Sequence, residues 1–98
     1  MTLEVAILNV VPDKTTEFER AFAEAKSIIA CMPGFLGLEL HTCMEQPHQY
    51  LLLVRWRRIE DHTEGFRKSV EYERWKRFLH HFYDPFPQVE HYRLTDQA

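Results

Sequence analysis

Residues 35–57 read FLGLELHTCMEQPHQYLLLVRWR, and this stretch decides the fold of the chain. Apolar and polar residues alternate over residues 35–44, which is typical of a β-strand with one buried face. Residues 45–48 form a polar turn around Pro47, and residues 50–57 predict a second strand close behind it. The stretch is therefore predicted to fold as a β-hairpin.

The N-terminal third of the chain predicts a strand followed by a long helix. Residues 3–11 are rich in Val, Leu and Ile, as strands are. Asp13 is a candidate N-cap, and apolar residues then recur at intervals of three and four. This spacing predicts an amphipathic helix of about five turns that ends at Pro33 and Gly34. The residues of its apolar stripe are Phe18, Phe22, Ala25, Ile29 and Met32.

The C-terminal part of the chain predicts a shorter helix and one more strand. Ser69 is a candidate N-cap, with Glu71 and Glu73 in the first turn, where carboxylates suit the helix dipole. The apolar stripe of this helix is Tyr72, Trp75, Leu79 and Phe82. After two prolines, residues 89–94 predict a last strand.

The element order is therefore β-α-β-β-α-β within a single domain of residues 1–98. With right-handed crossovers this order gives an α+β, ferredoxin-like fold, a four-stranded antiparallel sheet with both helices on one face. Residues 50–54 are nevertheless apolar on both faces of their strand. Because two helices cover only one face, the sequence predicts a homodimer in which a second copy covers the other. The residues assigned to that dimer face are Ala6, Leu8, Leu51 and Leu53.

Composition and charge exclude several classes of protein. The 98 residues are 45% hydrophobic and 28% charged, as in an ordinary soluble domain. A net charge of −3 argues against a nucleic-acid binder. No apolar run approaches the roughly 20 residues that cross a bilayer. A secretory signal begins with basic residues, whereas the first basic residue here is Lys14. Cys31 and Cys43 are too few for a disulfide framework, so a cytoplasmic location is expected.

The motifs of other ferredoxin-like proteins are missing from the sequence. The third strand lacks the basic and aromatic pattern that stacks RNA bases. The chain has no closely spaced cysteine pair for a metal or an iron–sulfur cluster, and no glycine-rich loop for phosphate. His80 and His81 point about 100° apart on a helix, and no histidine pair has the spacing of a helical zinc site. No metal site is predicted.

A more specific signal lies in PGFLGLELH at residues 33–41 and YLLLVRW at residues 50–56, with Glu60, Asp61 and His62 behind them. These motifs resemble the antibiotic biosynthesis monooxygenase family over nearly the whole chain. The resemblance implies a dimeric α/β barrel. It also implies one of the activities of that family, which includes cofactor-independent oxygenases of phenols and quinols, haem-degrading enzymes and isomerase-like members.

Carried over by position, the resemblance assigns a partial set of site residues. Trp56 matches a tryptophan of the polyketide oxygenases, whereas their pocket asparagine is here Leu52 and their pocket tyrosine is His62. The haem-degrading branch is similar at Asn9, but its axial histidine falls near Trp75 or Lys76, neither of which is a usual haem ligand. Haem degradation is therefore disfavoured, and Asn9, Trp56 and His62 are the candidate catalytic residues.

The residues themselves predict a pocket for a flat aromatic molecule between the sheet and the helices. The positions assigned to the helix-facing side of the sheet are Tyr50, Leu52, Val54 and Trp56 in the third strand and Val5, Ile7 and Asn9 in the first. The predicted substrate-binding residues are Phe22, Leu52, Phe66, Tyr72, Trp75 and Phe82. His62 is the candidate general base. The same aromatic stripe is also typical of a plain hydrophobic core.

The predicted function is cofactor-independent oxygenation of a small, electron-rich phenol or quinol. Once deprotonated, such a substrate passes an electron to dioxygen by itself, so the protein needs an apolar cavity, a base and an orienting hydrogen bond, and no flavin or metal. The alternative is a non-catalytic, ligand-binding or structural dimer, which Leu52 in place of the pocket asparagine favours. A cavity below about 150 Å³ would support that alternative.

Overall fold

The computed structural model describes residues 1–98 and contains one antiparallel sheet packed against two α-helices. The elements are β1 (Thr2–Asn9), α1 (Thr15–Ala30), β2 (Phe35–Thr42), β3 (Gln49–Trp56), α2 (Val70–Leu79) and β4 (Val89–Tyr92). Short 3₁₀ turns at Pro12–Lys14 and His80–Phe82 flank the helices, and a π-helical segment covers Asp61–Phe66. The strand order is β2-β3-β1-β4. The ferredoxin-like fold predicted from the sequence is confirmed.

The helices begin and end close to the predicted positions. The backbone N–H of Tyr72 donates to Ser69 Oγ at 3.1 Å, so Ser69 caps α2 as its sequence predicts. Asp13 lies in the first 3₁₀ turn and makes no cap bond to α1, which begins two residues later. Neither helix is long and apolar enough to cross a membrane.

The inward face of β3 carries much of the core. Tyr50, Leu52, Val54 and Trp56 are all buried against the helices, as the alternation along the strand predicts. The residues between them point to the open face of the sheet, where Leu51 and Leu53 are only partly covered. The open face of this chain therefore keeps apolar side chains that its own helices do not reach.

The orientation predicted for β1 is wrong. Ala6 pairs with Leu52 and Leu8 with Tyr50, so both side chains face the helices, and each is 2% exposed. The prediction had assigned Ala6 and Leu8 to the dimer face and Val5 and Ile7 to the pocket. Strand β1 is apolar on both faces, so a period of two cannot tell which set points inward, and only the register with β3 decides it. The open apolar face, as the name is used below, consists of Val5, Ile7, Leu51 and Leu53.

Candidate active site

A cavity of about 340 Å³ lies between the sheet and α2. Its walls come from β1 (Glu4, Ala6, Leu8), β3 (Leu52), the π-helical segment (His62, Phe66), α2 (Tyr72, Trp75) and β4 (Val89). This volume is within the range of small-molecule sites and more than twice the limit set above for a merely structural domain. Because most of the wall is aliphatic or aromatic, the cavity suits a flat apolar ligand.

The outer part of the cavity is aromatic and carries one cation. His80, Tyr83 and Phe86 line it, and the rings of His80 and Phe86 meet edge to face with their centroids 4.9 Å apart. Phe86 is 61% exposed and Arg67 is also exposed, so these side chains mark where the cavity meets solvent. Burial raises the pKa of Tyr83, which keeps its hydroxyl protonated. A planar ring can stack here, with an anionic oxygen towards Arg67.

Glu4 is the carboxyl group of the cavity wall. It is 5% exposed, and its Oε1 accepts a hydrogen bond of 2.8 Å from the indole N–H of Trp56. Burial raises the pKa of Glu4 to about 7, although the Trp56 hydrogen bond and the positive charge of Arg67 each lower it. A carboxyl group with this pKa is ionised in a large fraction of molecules at neutral pH. Such a group is suited to act as a general base.

The π-helical segment places His62 beside Glu4. Asp61 precedes it and anchors the segment to the end of β3, since its carboxylate accepts from the backbone N–H of Arg58 at 3.2 Å. The Asp61 carboxylate also packs against the backbone of Gly34, which has a φ of 85°. Only glycine leaves room for it, because a Cβ at that position would overlap the carboxylate. The side chain of the next residue, His62, then points into the cavity wall and is 3% exposed.

His62 makes polar contacts with both Glu4 and His91. Its ring stacks on Trp56 with centroids 5.5 Å apart, and its Nε2 lies 3.4 Å from Glu4 Oε1. Its Nδ1 shares a hydrogen bond of 2.7 Å with His91 Nε2. Burial, together with the positive charge of Arg67, lowers the pKa of His62 to about 3, so the ring is neutral at physiological pH. These surroundings favour Glu4 over His62 as the base.

The structure brings together five of the predicted site residues. Those that line the cavity are His62, Leu52, Phe66, Tyr72 and Trp75. Trp56 is fully buried behind this wall, where it contacts the lining residues Glu4, His62 and Phe66.

Three predicted site residues lie elsewhere. Asn9 pairs with Gln49 on the open face of the sheet, so its assignment to the pocket is wrong for the same reason as that of Val5 and Ile7. Phe22 and Phe82 are buried in the core between the sheet and helices, where both pack on Phe18. The stripe of a helix has more positions than a single cavity can use, and these two belong to the core.

The sequence reasoning missed Glu4, Arg67 and His91. Glu4 is the first residue of the buried set Glu4, Ala6, Leu8 and Val10, in which it alternates with apolar positions. A carboxylate at the head of such a series is the available signal, because a charged residue on an inward strand face is rare without a functional reason. Arg67 and His91 carry no comparable pattern. No three histidine, cysteine or carboxylate side chains are grouped as metal ligands.

Replacing Trp56 with phenylalanine is expected to raise the pKa of Glu4 by about one unit, because the variant loses a hydrogen bond that favours the carboxylate. The measurement is an NMR titration of the Glu4 carboxyl carbon. Trp75→Phe is the matched control, since Trp75 lines the cavity without bonding to Glu4. An unchanged midpoint in Trp56→Phe would contradict the assignment.

The comparisons with known proteins agree with this fold. The family model for antibiotic biosynthesis monooxygenases matches residues 1–77. The uncharacterized protein YczJ of Bacillus subtilis (strain 168) is 52% identical over 93 residues, which cover 95% of this chain and 98% of YczJ.

Among solved structures, a Bordetella bronchiseptica protein named after antibiotic biosynthesis monooxygenases superposes with a TM-score of 0.91, at 29% identity and 96% coverage of both chains. SnoaB of Streptomyces nogalater, a cofactor-independent oxygenase, has the same fold, with a TM-score of 0.71 at 19% identity over 99% of this chain and 93% of SnoaB. On the match to the family model, which spans most of its length, this chain belongs to the antibiotic biosynthesis monooxygenase family.

Proposed function

We propose that this protein is a cofactor-independent monooxygenase that oxidises a small, electron-rich phenol or quinol with dioxygen, and that Glu4 is its general base. The observation that carries the proposal is a single buried carboxyl group with a pKa of about 7 in the wall of an aromatic cavity of about 340 Å³. A base of this strength matches the requirement for removing a phenolic proton near neutral pH.

The proposed chemistry begins with proton transfer from the substrate hydroxyl to a carboxylate oxygen of Glu4. The resulting phenolate donates one electron to dioxygen, and the phenoxyl radical and superoxide then combine at a ring carbon that bears a hydrogen. The peroxide takes the proton back from Glu4, and the hydroperoxide eliminates water with that ring hydrogen, so one oxygen atom stays on the ring as a quinone carbonyl and the other leaves as water. Arg67 at the cavity mouth stabilises the anionic oxygen, and the aromatic wall holds the ring flat and excludes water. Trp56 and neutral His62 hold Glu4 in place.

Oxygen uptake tests the proposal directly. The purified protein is mixed with a panel of hydroquinones and anthrones in an oxygen-electrode cell without added flavin or metal. Uptake is expected with at least one of them, and its rate should rise to a plateau as the pH passes through about 7, because only ionised Glu4 accepts the proton. No uptake above the buffer rate with any compound would overturn the proposal.

A second candidate function is ligand binding without catalysis. Leu52 favours it, because an apolar residue lines the cavity where the polyketide oxygenases have an asparagine to orient the substrate. Trp75 lines the same cavity, so its fluorescence is expected to change when an aromatic ligand binds. Saturable quenching by a phenol that causes no oxygen uptake would favour this candidate over the oxygenase.

We further propose that the chain forms a homodimer through the open apolar face, with the two sheets packed against each other. Ile7 is 49% exposed on this face. Leu51 and Leu53 are only partly buried in the single chain, so each lacks part of the roughly 1.5–3 kcal/mol that full burial contributes. A two-fold pairing covers the patch on both copies at once. A cytoplasmic location is also proposed, since Cys31 and Cys43 are free thiols.

A further inference from the structure

A row of three polar side chains leads from the cavity to a different part of the surface. Glu4 Oε1 lies 3.4 Å from His62 Nε2, and His62 Nδ1 lies 2.7 Å from His91 Nε2. His91 does not line the cavity. It lines a separate depression formed by Met1, Thr2, Ile59, His91, Tyr92 and Arg93, and several of these side chains are strongly exposed. The cavity and this depression have no lining residue in common.

We propose that His62 and His91 form a proton relay that exchanges the proton of Glu4 with solvent while a ligand fills the cavity. The inference rests on the proposed function, in which Glu4 is the base, and adds a route by which the proton of that base exchanges with solvent. Such a route matters when a flat ligand is stacked among His80, Tyr83 and Phe86, because such a ligand would occupy the mouth of the cavity. The long contact between Glu4 and His62 is of a kind that tightens when a catalytic site is occupied.

Each transfer along the relay moves one proton from a donor atom to an acceptor atom, and no electron is transferred. Protonated Glu4 gives its proton to His62 Nε2, while the proton on His62 Nδ1 passes to His91 Nε2 and that on His91 Nδ1 passes to water. The sum is one carboxylic acid and one water converted into one carboxylate and one hydronium ion. Both rings now carry their proton on Nε2, so His62 donates to the new carboxylate, and the return of a proton by the same route restores the first state.

The surroundings favour passage through neutral rings. Arg67 lowers the pKa of both His62 and His91, and burial has the same effect on each ring, so neither is held as an imidazolium. Trp56 donates to Glu4 and stacks on His62, which fixes the position of the first two members. A ring trapped as a cation would stop the exchange, and these contacts prevent it.

The test uses His91→Phe, which keeps an aromatic ring but removes both nitrogens, and His91→Ala, which leaves a space that imidazole can enter. The reporter is 4-nitrophenol, which ionises visibly but is too electron-poor to be oxidised. After a pH jump, phenolate formation in the cavity is followed by stopped-flow absorbance. We expect His91→Phe to slow it by at least about tenfold. Added imidazole should restore the rate in His91→Ala in proportion to its concentration. His48→Ala is the control, because the His48 side chain makes no hydrogen bond.

The outcomes separate this inference from the proposed function. If wild-type protein binds 4-nitrophenol and both His91 variants ionise it at the wild-type rate, the relay is wrong and the oxygenase proposal stands. A slow rate that imidazole does not restore also contradicts the relay, since it indicates a structural role for His91. If no phenol binds and no oxygen is consumed, the function fails and the relay fails with it.

Discussion

Replacing Glu4 with glutamine is expected to slow turnover strongly and to stabilise the fold at the same time. The amide cannot accept a proton from a phenol, so the rate should fall by about 10² to 10⁴, the usual contribution of a general base. Gln still presents an oxygen to the indole N–H of Trp56, so the contact at 2.8 Å can be kept. Initial rates of oxygen uptake measure the first effect, and urea unfolding measures the second.

The gain in stability should depend on pH in a defined way. The pKa of Glu4 is about 7 in the folded protein and near 4.5 in the unfolded chain, so the folded state binds the proton more tightly. Wild-type stability from this group is therefore present below pH 4.5 and is lost as the pH rises through about 7. Glu4→Gln removes this loss, and at pH 8 it should be more stable by about 3 kcal/mol.

Glu24→Gln is the matched control for Glu4→Gln. It removes the same charge from an exposed position on α1, so it should change neither the turnover nor the pH dependence of unfolding. A Glu4→Gln variant with the oxygen uptake of the wild type would show that Glu4 is not the base.

Replacing Leu53 with aspartate is expected to convert the dimer into monomers. Leu53 lies opposite Val5 in the middle of the open apolar face, so the new carboxylate would be buried without a partner in the paired sheets. This costs at least about 3 kcal/mol, which raises the dissociation constant by more than about a hundredfold. Light scattering should give twice the 11.8 kDa chain mass for the wild type and the single mass for the variant.

Val70→Asp is the control for the interface. Val70 is 77% exposed in the first turn of α2, on the other side of the sheet, where an acidic residue suits the helix dipole. It should leave the dimer intact. A wild-type mass of 11.8 kDa at micromolar concentration would contradict the proposed homodimer, whatever the variants do.

The fold could be predicted from the sequence because several local signals agree with one another. The alternation in β2, the turn around Pro47 and the serine cap at Ser69 each specify one element, and their order leaves one common topology. The inward set of β3 could be predicted as well, since Tyr50 and Trp56 share its period and are too large to leave exposed.

The candidate site was harder to predict, and the reason lies in β1. Apolar residues occupy both faces of β1, so its sequence does not tell whether the face of Glu4 or the face of Val5 points to the helices. The pairing with β3 decides this, and local periodicity does not contain that long-range information. A glutamate also argues locally for the solvent side. Burial makes Glu4 a candidate base, but burial is not expected for a glutamate, which is mostly exposed in proteins. The contact between His62 and His91 joins residues 29 positions apart, which spacing cannot indicate.

The ionisation of Glu4 tests the account most directly, because it needs neither a substrate nor a partner. In uniformly ¹³C-labelled protein, the side-chain carboxyl resonance that disappears in Glu4→Gln is assigned to Glu4 and followed as the pH is raised from acid to alkaline. The expected midpoint is near 7, well above the ordinary value for a glutamate. A midpoint near the ordinary glutamate value of 4.5 would contradict it.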